Sequence, residues 1–160
     1  QESLAVVIVN PGVIFGYGFP KKGSDVIIQS VKNGLSFYTK GNIGIVSVDD
    51  VTNCMIQLMN STISGERYIL LGENVILKDF ITYLATLLNI KAPTVYASKT
   101  MTSIAWRLDW LIAKITNRKR KLTRATAKAS HSIDVYYTTK IVTALNYSFQ
   151  KKETYLTKII

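Results

Sequence analysis

A chain of 160 residues, 48% of them apolar, has enough material for one globular domain with a real core and is too apolar to be disordered. No run approaches the ~20 uncharged apolar residues of a membrane span, and no basic leader precedes the first apolar run, so neither a transmembrane helix nor a secretory signal is expected. The formal net charge of +10 points to anionic partners, and the single Cys54 excludes an internal disulfide and fits a reducing, cytoplasmic setting.

Leu4 to Val9 reads as a strand apolar on both faces, the parallel-sheet pattern, stopped by Pro11 and Gly12. The segment "GYGFPKKG" is loop. Ser24 can cap a short helix that places Ile27, Ile28 and Val31 on one side. Asn33-Gly34 turns into the short strand "LSFYTK", and Gly41-Asn42 turns into the strand "IGIVSV". Asp49 and Asp50 then stand where helix caps belong, ahead of Val51, Cys54, Met55, Leu58 and Met59 at helical spacing. Cys54 falls in this apolar pattern, so it reads as a packed thiol.

Arg67 to Gly72 is a strand. "LKDFITYLATLLN" is the clearest helix, with Phe80, Ile81, Leu84, Leu87 and Leu88 in one stripe and Asn89 as a left-handed terminator. Pro93 closes that unit. Thr100 to Thr116 forms another helix in which Ile104, Leu108, Leu111, Ile112 and Ile115 share a face near Trp106 and Trp110. "YYTTKIVTALN" gives a further helix, and an amphipathic stretch runs from Glu153 to Ile160.

The positive charge is concentrated. Between Lys91 and Lys140 stand eleven Lys and Arg against Asp109 and Asp134, peaking in "NRKRKLTRATAK", Asn117 to Lys128. A solvated connector between helices explains such a run, and so does a surface for anionic lipid or nucleic acid. If the run forms an exposed stripe continuous with an exposed Trp pair, the binding surface gains. If both Trp are buried and the cations diverge, it fails.

Most catalytic signatures are absent, including GxSxG, phosphate-cradling loops and Cys/His metal spacing, and the lone His131 has no partner in the pattern. Tyr-x-x-x-Lys spacing can set a phenol beside an ammonium for proton transfer at a carbonyl. It occurs at Tyr17/Lys21, Tyr136/Lys140 and Tyr147/Lys151, but with nine Tyr in the chain chance matches are expected, and only Tyr136/Lys140 is compatible with one helix.

The ordered set "VVIVNPGVIFGYG", "GIVSVDDVTNCMIQLM", "GERYILLGENVILKDFITYLATLLNIKAP" and "KIVTALNYSFQKKETYL" resembles the extended short-chain dehydrogenase/reductase family. Within it the likeness is to the NAD-dependent epimerase/dehydratase group, and nearest to its dihydroflavonol reductase-like and hydroxysteroid dehydrogenase-like branches. It spans nearly the whole chain but matches only that family's C-terminal half. The family's glycine-rich dinucleotide loop, catalytic Ser/Thr and Tyr-x-x-x-Lys helix all precede this stretch.

The resemblance implies an α/β fold: the C-terminal part of a Rossmann-type doubly wound sheet, with a small mixed α/β substrate-binding lobe that is mostly helical after residue 100. It implies a single partial domain over residues 1–160. Asn10, Pro11 and Gly12 match the family's turn beside the nicotinamide ring of NAD or NADP, with Val13 and Ile14 supplying backbone groups to the carboxamide. Phe19, Pro20, Lys21 and Lys22 would border the substrate cleft. Asp50 matches a capping acid, and Asn146 stands where the family has glycine, a substitution the left-handed region tolerates. Tyr136/Lys140 falls on the family's late structural helix and not on its catalytic one.

The function implied is the substrate-binding portion of an NAD(P)-dependent oxidoreductase or epimerase acting on a carbonyl/alcohol pair, silent in catalysis alone. Its partners would be a small-molecule substrate, the Rossmann half of the same protein and, through the exposed edge of the first strand, a second copy. Nucleic acid is not expected. The alternative is a basic binding module for anionic lipid or nucleic acid.

Overall fold

The computed structural model describes residues 4–17, 23–120 and 122–160. In chain order the elements are strands β1 (Ile8–Pro11) and β2 (Val13–Phe15), helix α1 (Asp25–Lys32), strands β3 (Phe37–Tyr38) and β4 (Asn42–Ser47), and helix α2 (Val48–Met59). There follow β5 (Arg67–Leu70), β6 (Glu73–Ile76), α3 (Leu77–Leu87), β7 (Val95–Tyr96), α4 (Lys99–Thr116), α5 (Arg124–Ala129), α6 (Thr139–Leu145) and α7 (Lys152–Ile159). The fold is mixed α/β with parallel strand pairs, and after residue 100 every described element is a helix.

The chain divides into two compact units. The first comprises Gln1–Gln29, Ile43–Val75 and Val135–Ile160. In it β1 lies parallel to β5, with Ile8 opposite Arg67 and Pro11 opposite Leu70. Then β2 pairs parallel with β4, with Val13 opposite Ile45 and Phe15 opposite Ser47. Val46, Val51, Cys54, Leu58, Tyr68, Leu70 and Ile141 form its core, and Val7, Val9, Tyr147 and Phe149 pack onto it. The expectation of a strand buried on both faces is half met. Val7 and Val9 turn to that core, whereas Leu4, Val6 and Ile8 are exposed.

Helix α2 is capped by Ser47, whose Oγ accepts from Asp50 N at 3.0 Å. Asp50 is therefore the third residue of the helix and not its cap, and its fully buried carboxylate holds the distant C-terminal segment instead. Tyr147 Oη donates to its Oδ1 at 2.8 Å, and Gln150 N donates to its Oδ2 at 3.1 Å. A buried carboxylate is tolerated only when several donors meet it, which is what these contacts supply.

The second unit comprises Ser30–Asn42 and Ile76–Asp134. Helix α3 buries Phe80, Ile81 and Leu84 of the expected stripe together with Ala85, while Leu87 and Leu88 are half-buried, and β3 pairs parallel with β7. Asn89 past α3, Asn117 ending α4, and, in the first unit, Asn146 ending α6 all have positive φ, of 54°, 49° and 48°. Asparagine is the side chain that best tolerates this helix-ending conformation after glycine. In α4 only Ala113 is buried. Its underside is held by polar contacts: Arg118 Nη2 to Asp109 Oδ1 at 2.7 Å, Leu122 N to Asp109 Oδ2 at 3.0 Å, and Thr102 Oγ1 with His131 Nε2 at 3.0 Å.

Candidate functional site: the strand switch at Gly12

Asn10 and Pro11 end β1 opposite Ile69 and Leu70, and both are exposed. At Gly12 the chain changes neighbours. Its N–H donates to Leu70 O at 3.0 Å, and the next residue already pairs with β4. A Cβ at Gly12 would lie 2.6 Å from Gly44 O and 2.7 Å from Leu71 Cδ1, so only glycine fits where the backbones cross. This corrects the expectation that Pro11-Gly12 ends the strand: they divide one extended run into two, with different partners on either side.

Val13 and Ile14 enter β2, opposite Ile45 and Val46. Ser24 Oγ donates to the Ile14 carbonyl, tying the start of α1 to this strand. Ile14, Gly16, Tyr17, Ser24, Asp25 and Val48 line a recess of about 400 Å³ beyond the C-terminal ends of β2 and β4. Open parallel sheets present ligands at such strand ends. Val48, Tyr17 and Ser24 were not expected at a site. Ser24 carries a signal for a helix cap, and Tyr17 one for a Tyr-x-x-x-Lys spacing. Phe19, Pro20, Lys21 and Lys22 lie outside the described residues, as does Lys21 of the Tyr17/Lys21 pair.

Among the described residues the recess is lined by no His, no Cys and no pair of carboxylates, so these can orient a ligand. Tyr136 and Lys140, expected on one helix, do not share one, because α6 begins at Thr139. Tyr136 precedes α6, where its backbone exchanges two hydrogen bonds with the Asn74 side chain. Lys140 Nζ reaches Glu66 Oε2 at 2.5 Å and lies over the Tyr68 ring. Burial, then the Asp50 contact, push the Tyr147 phenol up to about 12, holding it protonated as a donor. Burial and the Asp50 charge push the Cys54 thiol up to about 11, as suits a packed, unreactive cysteine. Among the described residues no group of three His, Cys, Asp or Glu could hold a metal ion.

No family model matches the chain, and no curated protein does. Solved structures do. The nucleoside-diphosphate-sugar epimerase PA4631 from Pseudomonas aeruginosa superposes with a TM-score of 0.74 at 22% identity, over 98% of this chain and 47% of its own. The protein gox2253 gives 0.70 at 23%, over 96% and 47%. The human epimerase family protein SDR39U1, solved with NADPH, gives 0.68 at 11%, over 99% and 49%. The chain has the fold of epimerase/dehydratase proteins of the short-chain dehydrogenase/reductase type. It spans about half the length of the structures it matches.

Proposed function

We propose that this chain is the substrate-binding, C-terminal portion of an NAD(P)-dependent oxidoreductase or epimerase of the extended short-chain dehydrogenase/reductase family, acting in the cytoplasm on a carbonyl/alcohol substrate. The observation that carries the reading is β1. Among the described residues it pairs with β5 alone, and Ile8, with Leu4 and Val6 just ahead of it, is exposed. A parallel strand with one neighbour and exposed apolar residues beside it supports the reading that it belongs to a larger sheet. The likeness to roughly half of longer epimerase structures supports the same conclusion.

The described residues at the strand switch fit one edge of a nicotinamide. Gly12 brings backbone close, and Ile14 and Val48 offer an apolar wall for a flat ring, but no glycine-rich phosphate loop occurs in the sequence. The cofactor, when bound, supplies or accepts the hydride. This chain's part is to hold the strand exit at Asn10 to Ile14 against it and to wall the substrate, with Phe19 to Lys22 bordering the cleft. Tyrosine acid/base chemistry belongs to the other half of the protein, which is its first partner.

The test is cofactor binding followed by nicotinamide fluorescence. The longest natural polypeptide carrying these residues is expected to bind NADH or NADPH, and Ile14→Glu to weaken that binding with the fold intact. The isolated 160-residue chain should be catalytically silent. Absence of binding by the longer polypeptide, or turnover by the isolated chain, would overturn the reading.

A further inference from the structure

The geometry points to a second binding surface, and we propose that α4 docks onto an anionic membrane surface. The helix is amphipathic in the inverse sense of a packed one. Its small and polar side, with Ala113, Thr102 and Asp109, faces the rest of its own unit, while Met101, Ile104, Leu108, Leu111, Ile112 and Ile115 form a stripe that is 44–75% exposed. Their helical spacing places them within one ~100° arc, along ~21 Å of helix. Six exposed aliphatic side chains in one line exceed the scattered surface apolar residues of ordinary proteins and mark an interaction surface.

The charge around the stripe selects the occupant. Residues 99–128 carry nine Lys and Arg against Asp109 alone, and that carboxylate is already taken by Arg118 and Leu122 N. Trp106 and Trp110, with Arg107 and Arg120, line a shallow recess of about 600 Å³ beside Leu108 and Leu111. Arg107 sits 4.6 Å over the Trp106 ring and Lys114 5.3 Å over Trp110. An aliphatic face bordered by Arg107 and Lys114, with the half-exposed Trp110 beyond them, fits a helix lying in the plane of an anionic bilayer surface. A second copy of this surface would bring like charge against like. Nucleic acid would use the cations but leave the aliphatic stripe bare. No helix among the described residues is long and apolar enough to cross a membrane, so the contact is interfacial.

Vesicle flotation of the longest natural polypeptide carrying this chain tests the proposal. Binding to phosphatidylcholine vesicles containing phosphatidylserine is expected, weakened by salt and at least about tenfold lower on phosphatidylcholine alone. The double variant Leu108→Glu/Leu111→Glu, at outward positions, should lose it. Ile133→Glu, an equal charge change per site at a 76% exposed residue off the helix, should keep it. No flotation, flotation on both vesicle types alike, equal loss with Ile133→Glu, or tight binding of the charged double variant would overturn the proposal. A dimer dissolved by that double variant would do so too, assigning the stripe to a second copy, as would salt-sensitive binding of duplex DNA that the double variant leaves unchanged.

Discussion

Tyr147 and Asp50, 97 residues apart in sequence, meet at 2.8 Å where the phenol donates to a fully buried carboxylate. The contact ties the segment after α6 to the first turn of α2 and closes the first unit. Removing the donor leaves Gln150 as the neighbouring partner of Oδ1, so Tyr147→Phe should cost about 1–2 kcal/mol. Asp50→Ala strips the acceptor from Tyr147 Oη and Gln150 N together and should cost about 3 kcal/mol or more. Urea unfolding of the two variants should show that order, with the denaturant slope unchanged for Tyr147→Phe.

The same pair sets an alkaline limit. Tyr147 is raised from 10.0 to about 12, and Cys54 from 9.0 to about 11. Both groups keep their protons longer when folded, so the unfolded chain releases protons first and rising pH favours unfolding. Their contribution should be whole below pH 9 and fall away between pH 9 and 12. Alkaline unfolding followed by circular dichroism should steepen in that window and flatten in Tyr147→Phe. Native Cys54 should resist a thiol reagent at pH 8 and react once the chain is unfolded in urea.

Gly12→Ala probes the strand switch. The nearest atom to the new Cβ is a backbone oxygen, Gly44 O at 2.6 Å, which cannot turn aside as a side chain could. A destabilisation of about 2–3 kcal/mol is expected, in the range of overpacked cores. Thermal unfolding measures it, and a variant as stable as the parent would mean that the backbones do not approach as described.

How far the sequence discloses this molecule depends on how local each cause is. The αL ends at Asn89 and Asn146, and the stripe of α3, follow from residues within one or two turns, and they were legible. Strands β2, β6 and β7 have two to four residues each, too few for a period to register, and were missed. Helix α5 hides in a basic run whose composition reads as connector. Asp50 looked like a cap because its helix starts there, whereas its partners lie about a hundred residues on. In α4 the spacing located the apolar face, but spacing does not say whether a face meets core or solvent, and this one meets solvent. At the candidate site Asn10 to Ile14 were named from motif order, while Val48 and Tyr17 come to the recess only through folding.

Lys140 separates motif from mechanism. Its spacing from Tyr136 imitates a catalytic pair, yet its ammonium is engaged by Glu66, and that contact, together with the lysine's charge, holds the Glu66 carboxyl below its ordinary range. Both partners are well exposed, so the ion pair adds little to stability. Lys140→Met in the full polypeptide should therefore leave turnover at the parent rate across the pH profile and lower stability only slightly. Tyr136→Phe should change neither, because Tyr136 is held by its backbone through Asn74. A loss of kcat about a hundredfold or larger in either variant, the scale on which a general acid or base acts, would show that the pair moves protons after all.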